Sequence, residues 1–187
     1  ELWKLLVEND WNVDYIGTKS DPRSYAPVQN QAFDADHEGR GGWTSGQILE
    51  GIEGWLEQAG TPDFVLFSSP AGNDGLQNLP YDQAVQNVNA IIDVIQAANP
   101  NVTILIEQLA PALSELMVGD LATYFNQMQT DVYAIASEQT TNTSSVLVVD
   151  MATGFTDALL ADDVHYNQAG AAFIAARYYD VLKTILE

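Results

Sequence analysis

Asp162 and His165 are the pair in this sequence whose types and spacing most directly suggest chemistry. They stand three positions apart in Asp162-Asp163-Val164-His165-Tyr166-Asn167-Gln168-Ala169-Gly170, just ahead of an apolar helical run. In one tight helical turn, residues i and i+3 share a side. Asp162 can then hold one nitrogen of the His165 ring and leave the other free to take a proton, which is the base-plus-orienter half of a hydrolytic triad. The plainer reading of the same residues is a surface turn in which Asp162 caps the helix that follows. Two other polar clusters fall after predicted strands or in the loops that follow them. One is His37-Glu38-Gly39-Arg40-Gly41-Gly42-Trp43 and the other Gly72-Asn73-Asp74-Gly75. Taken singly, each is accounted for by turn glycines and a tight Asn-Asp-Gly turn.

Composition narrows what such residues could serve. A chain of 187 residues, 47% of them hydrophobic, suits one domain with a sizeable core, spanning 1–187. The net charge of −20, with only six Lys or Arg, argues against nucleic acid and anionic membrane as partners, since phosphate recognition needs a cationic face. Neutral polymers such as polysaccharides remain open. The absence of cysteine removes disulfides and thiolate chemistry. No apolar run is long enough to span a bilayer. No Gly-x-Gly-x-x-Gly or Walker-type loop follows an apolar strand, and no EF-hand spacing occurs, so no metal site is assigned. Two sequons, Asn101-Val102-Thr103 and Asn142-Thr143-Ser144, matter only in a protein secreted from a eukaryote, since such triplets often arise by chance; an extracellular location is the expectation.

The elements that must position these clusters follow from periodicity. Residues 1–9 read as an amphipathic helix, and 11–17 as a short strand alternating Trp11, Val13 and Tyr15 against Asn12 and Asp14. A long polar loop fills 18–42, a length that favours a functional role. Helices are predicted from Thr44 or Ser45 to Ala59, over 81–98, over 113–138 with a break near Gly119, and over 168–186. Apolar runs at 63–69, 102–109 and 145–151 read as strands buried on both faces. Strands alternating with helices predict an α/β protein, a three-layer α/β/α sandwich with a flavodoxin-like parallel sheet and helices on both faces. Such sheets place their sites beyond the carboxyl ends of the strands.

In this order, the clusters resemble the SGNH hydrolases, the GDSL-type esterases. Gly42 in Gly41-Gly42-Trp43-Thr44 matches the family's oxyanion glycine. Ala71-Gly72-Asn73-Asp74 matches the block usually written Gly-x-Asn-Asp, with Ala71 in place of the first glycine, and Asp162 with His165 matches Asp-x-x-His. The stretch from Leu2-Trp3-Lys4-Leu5-Leu6 through Val13-Asp14-Tyr15-Ile16-Gly17 to Asp36-His37-Glu38-Gly39 looks most like carbohydrate esterase family three, the acetylxylan esterases.

The resemblance implies a serine-type carboxylic-ester hydrolase that deacetylates carbohydrate such as acetylated xylan, with no metal or organic cofactor. His165 would be the base, Asp162 its orienter, and Gly42 N–H and the Asn73 amide the oxyanion donors. His37, Glu38, Arg40, Trp43 and Tyr166 would line a sugar-binding rim. One departure stands out. The family nucleophile lies in a Gly-Asp-Ser block, and none occurs in this chain. Ser68 and Ser69 end the next strand along, and Ser45 fits a helix cap. The resemblance also puts a first strand between residues 11–17 and 63–69. The sequence therefore leads us to expect that slot to be filled by an N-terminal fragment, by residues outside this numbering or by a partner's strand carrying the serine. The alternative is a catalytically inactive hydrolase-like scaffold that binds carbohydrate or a protein partner.

Overall fold

The computed structural model describes residues 1–186. Its elements in chain order are α1 (Leu2–Glu8), β1 (Lys19–Ser20), β2 (Asp36–His37), α2 (Ser45–Ala59), β3 (Phe64–Phe67), α3 (Gly72–Leu76), α4 (Tyr81–Ala98), β4 (Thr103–Gln108), α5 (Gly119–Gln139), β5 (Ser145–Asp150), a single 3-10 turn (Asp157–Leu159) and α6 (Gln168–Leu182). β3, β4 and β5 form a parallel sheet with β4 in the centre, in register Val65↔Ile104 and Ile104↔Val146.

Alternation along β4 explains the two layers around it. Ile104 and Ile106 face a core built with Val88, Ile91, Ile92, Met128 and Val132 of α4 and α5. Leu105 points the other way, into a cluster with Leu6 of α1, Val149, Met151, and Tyr178 and Leu182 of α6. Successive strand side chains point to opposite faces, so one strand anchors both helical layers. Full burial of each such side chain contributes ~1.5–3 kcal/mol.

Helix boundaries follow local chemistry. A reciprocal capping box of Thr44 and Gln47 starts α2. α4 stops at Ala98, ahead of Asn99-Pro100. The helix expected over 113–138 begins only at Gly119, whose φ of +59 turns the chain out of a separate 113–118 turn.

Two strand expectations are corrected. Residues 11–17 pair with no strand among the described residues. Their alternation still orients them, because Trp11, Val13 and Tyr15 pack onto the α1–α6 face. Their backbone is tied down by side chains instead: the Tyr15 N–H donates to Asp34 Oδ2 at 2.6 Å, and the Thr18 N–H donates to Glu38 Oε2 at 2.7 Å. Period-2 alternation reports which face meets the core; it does not report whether a neighbour stands ready to accept hydrogen bonds. The strands that form early in the chain lie inside the polar loop, where Lys19 pairs with His37 and Ser20 with Asp36.

β3 is also less buried than its composition suggests. Phe64 and Leu66 each remain 37% exposed, while Val65 and Phe67 pack against α2 and α4. Among the described residues β3 pairs with β4 alone, and Val13 and Val65 are not ladder partners. Leu66 contributes to an apolar groove of about 360 Å³ that is also lined by Trp3, Tyr15, Phe33, Tyr166 and Tyr178.

Candidate active site

The connections that follow parallel strands emerge at one end of the sheet. α3 follows β3, the 111–118 turn follows β4, and the loop to His165 follows β5. The last two are joined directly, since the Leu113 N–H donates to the Asp163 carbonyl at 2.8 Å.

The segment around His165 is a closed polar turn. Asp162 Oδ1 accepts the backbone N–H groups of Val164 at 3.0 Å and His165 at 2.8 Å. Both carboxylate oxygens lie within hydrogen-bond reach of His165 Nδ1, at 3.0 and 2.9 Å. The backbone N–H of Val164, then that of His165, then the ring together pull the Asp162 carboxyl down to about 2. With Nδ1 engaged, Nε2 is the nitrogen available for proton transfer. The His165 side chain is 79% exposed.

Asp162 does not cap α6. That position belongs to Asn167, whose side-chain oxygen accepts the Gly170 N–H at 3.0 Å. Its amide nitrogen donates to the carbonyls of Ala158 at 2.8 Å and Leu160 at 3.1 Å, so one side chain joins the helix start to the turn before His165. A Cβ on Gly170 would overlap the carbonyl oxygen of Leu159.

Gly42 and Asn73 are brought together from distant parts of the chain. The Asn73 side-chain amide donates to the Trp43 carbonyl at 2.8 Å, and Gln77 donates to the Gly42 carbonyl at 3.2 Å. Gly42 has φ +78, a left-handed conformation that glycine adopts without strain. The Asn73 amide carries two N–H groups; one is used on Trp43, so the other can donate elsewhere. Asp74, 2% exposed, accepts both the N–H and the hydroxyl of Ser45 at 2.7 Å each. It thereby pins the start of α2, next to Gly42 and Trp43, to α3. Ser45 is thus a rung of this clamp, and Thr44 is the cap.

Ala71 departs from the block usually written with glycine, and its geometry shows the consequence. Its φ is +56, and Ser69 upstream has φ +48. Non-glycine residues held in this region store on the order of 1–3 kcal/mol each. Gly72 between this turn and Asn73 has no room for a Cβ, which would overlap Ser69 Oγ.

The remaining candidates differ in availability. The Arg40 guanidinium lies over the Trp55 ring at 4.1 Å and near Trp43 at 5.5 Å. It donates to Thr18 Oγ1 at 2.7 Å and, through Nε, to Glu38 at 2.8 Å. Its side chain is 12% exposed, so it braces the loop under Trp43 more than it faces solvent. Trp43 itself is 38% exposed. His37 sits on β2, its Nδ1 accepting the Gly39 N–H at 3.1 Å. Tyr166 stacks edge-on against Phe155 at 5.7 Å and borders the apolar groove shared with Leu66.

A parallel sheet flanked by helices, with polar loops gathered at one end, is the arrangement of the SGNH hydrolase fold, and comparison with known proteins makes that specific. The model of the GDSL-like Lipase/Acylhydrolase family matches residues 10–173. The chain belongs to this family, and its class is that of an ester hydrolase. Among solved structures it is similar to a carbohydrate esterase family 3 protein from Talaromyces cellulolyticus, with 26% identity, a TM-score of 0.85, and coverage of 98% of this chain and 88% of that one. An acetyl esterase, solved as a serine-to-alanine mutant with acetate ion, gives 27% identity, a TM-score of 0.85 and the same coverage. The family 3 carbohydrate esterase of Clostridium thermocellum gives 25% identity and a TM-score of 0.77, covering 99% of this chain and 86% of that one. No curated protein matches the sequence.

Sequence reading passed over two groups that the structure puts beside the site. Asn167 shares its only local signal, a capping residue type ahead of a helix, with Asp162, so the sequence does not single it out. Glu107 was legible as a lone charge at the end of the apolar run Ile104-Leu105-Ile106.

Proposed function

We propose that the chain is an extracellular carbohydrate acetyl esterase, a serine-type hydrolase acting on acetylated xylan or a similar polymer. The observation that carries this reading is the two-oxygen contact of Asp162 on His165 Nδ1, which leaves Nε2 free. In this mechanism His165 takes the proton of a serine hydroxyl as the oxygen attacks the acetyl carbonyl, then gives it to the sugar oxygen as the ester C–O bond breaks and leaves an acetyl-serine. Water, deprotonated by the same ring, attacks that ester, and the proton passes to the serine oxygen as acetate departs. Asp162 holds the tautomer and balances the imidazolium charge. The N–H of Gly42 and the free N–H of the Asn73 amide receive the oxyanion.

The nucleophilic serine lies outside these residues, on a strand that pairs with the free edge of β3. That reading is supported by the absence of Gly-Asp-Ser in the chain and by the apolar groove that Leu66 of β3 shares with Trp3, Tyr15 and Tyr178. Such an edge presents unpaired N–H and C=O groups that a strand can satisfy. Substrate preference rests on three supports. The net charge of −20 disfavours polyanions. Trp43, braced by Arg40, offers an aromatic face for a sugar ring, with His37, Glu38 and Tyr166 completing the rim. The similar solved structures carry names of carbohydrate and acetyl esterases.

The test is an intact-mass and N-terminal analysis of the purified protein, followed by hydrolysis of p-nitrophenyl acetate and of acetylated xylan. Expected is a serine-bearing segment together with acetate release. A protein that contains such a segment but releases no acetate, while still retaining carbohydrate, would be the non-catalytic binding scaffold.

A further inference from the structure

Glu107 is a carboxylate in an apolar place. It lies on the central strand β4, directly after Ile104, Leu105 and Ile106, and is 2% exposed. Burying a carboxylate is costly unless its oxygens are well bonded, and an apolar side chain of similar volume is often at least as stable in such a position. Packing therefore does not explain the residue, whereas its two partners do.

Glu107 Oε2 accepts the Ser69 N–H at 2.6 Å, and Oε1 accepts the Tyr178 hydroxyl at 2.9 Å. Tyr178, itself 5% exposed, fixes the carboxylate from α6. Ser69 opens the turn between β3 and α3, where Ser69 and Ala71 both carry positive φ. The Ser69 carbonyl accepts the Gly72 N–H at 3.1 Å, and the Ala71 carbonyl accepts the Gly75 N–H at 3.2 Å. Asn73 follows in the first turn of α3. Backbone held in the left-handed region persists only where its surroundings over-determine it, and Glu107 supplies the side-chain anchor on this turn's first N–H. Burial also raises the Glu107 carboxyl above its ordinary range.

We propose that Glu107 is a positioning residue for the oxyanion amide: by anchoring Ser69 it holds the strained turn that aims the Asn73 side chain. The proposal rests on the reading of Asn73 as an oxyanion donor. Misplacing a reacting or stabilising group by ~1 Å can cost on the order of a hundredfold in rate.

Three variants of the full protein test it, each alone and combined with Asn73→Ala. Glu107→Gln keeps an acceptor for Ser69 and a donor toward the Tyr178 oxygen, so it should retain kcat within about threefold. Glu107→Met removes both bonds, and kcat for p-nitrophenyl acetate should fall about ten- to a hundredfold with KM little changed. In the Asn73→Ala background the same change should have almost no further effect, because groups acting as a unit are non-additive. If Glu107→Met does not fold, Tyr178→Phe replaces it, with a smaller loss that also disappears in the Asn73→Ala background. The Asn73 side-chain N–H resonances provide a second readout, independent of turnover. They should stay protected from hydrogen exchange in Glu107→Gln and lose protection in Glu107→Met or Tyr178→Phe. Full additivity with Asn73→Ala, or unchanged protection of those resonances, overturns the proposal. Wild-type turnover in Asn73→Ala alone would instead remove the oxyanion reading beneath it.

Discussion

The side-chain amide of Asn73 donates to the carbonyl of Trp43 across thirty residues of sequence, at 2.8 Å. This one bond seats a turn after β3 against the loop ahead of α2, and it fixes the rotamer of the amide whose second N–H faces no partner within the chain's own hydrogen bonds among the described residues. A donor held in place before the reaction needs no reorganisation when charge develops, which is why such groups stabilise an oxyanion more than water does. Asn73→Ala should therefore lower kcat by about a hundred- to a thousandfold with a smaller change in KM. Steady-state kinetics on p-nitrophenyl acetate give the split directly.

Asp74, next in sequence, has a different task, and its substitution should read out in stability. Its carboxylate takes both Ser45 donors and is buried. Hydrogen bonds to a charged group contribute about 1.5–3 kcal/mol each, and Asp74→Ala leaves the Ser45 N–H without its acceptor. A loss of about 3 kcal/mol is expected, while Asp74→Asn, which retains an acceptor, loses less. Urea unfolding monitored by tryptophan fluorescence measures both.

Much of this was readable in the residues. The helix over 81–98 agrees end for end with α4, because its apolar period is strong and Asn99-Pro100 stops it. The three parallel strands fall inside the apolar runs that predicted them. The Asp-x-x-His spacing does bring ring and carboxylate together, since a three-residue offset is a local matter. The pairing of residues 11–17 was not readable, because a ladder needs a neighbour, and hydrophobic alternation carries no information about one. Nor was the role of Asn167, since Asp162 and Asn167 are both good N-cap residues and only the path of the chain decides which one meets the Gly170 N–H. The tie from Asn73 to Trp43 depends on tertiary contact and leaves no local trace.

That path is tightly constrained at Gly170. A methyl group there would strike the Leu159 carbonyl, a backbone atom that cannot move without shifting the turn Asn167 holds. Overpacking of this kind typically costs ~1–3 kcal/mol. Gly170→Ala should lower the melting temperature and, by displacing the Asp162–His165 turn, reduce kcat. Asn167→Ala should cost ~1 kcal/mol through loss of the cap. Thermal melts and turnover measured on the same preparations separate the two effects.

The acid behaviour of Asp162 follows from its donors. Its folded-state value, about 2, lies below the ordinary 3.8. A depressed carboxyl favours the folded state above the ordinary value, and that contribution fades as pH falls from about 3.8 through about 2. The turn should therefore keep its Asp162–His165 contact at pH 4. A carbon-13 carboxyl titration of Asp162 should have its midpoint near 2, and a midpoint near 3.8 would mean that the Val164 and His165 N–H groups do not engage it in solution.

The proposed ester hydrolysis turns above all on His165 as its proton carrier. The direct test is the rate of p-nitrophenyl acetate hydrolysis by the full protein and by its His165→Ala variant, after circular dichroism has shown both to be folded. A loss of about a hundred- to ten-thousandfold is expected for removal of a general base. Turnover by the variant at the wild-type rate would contradict it.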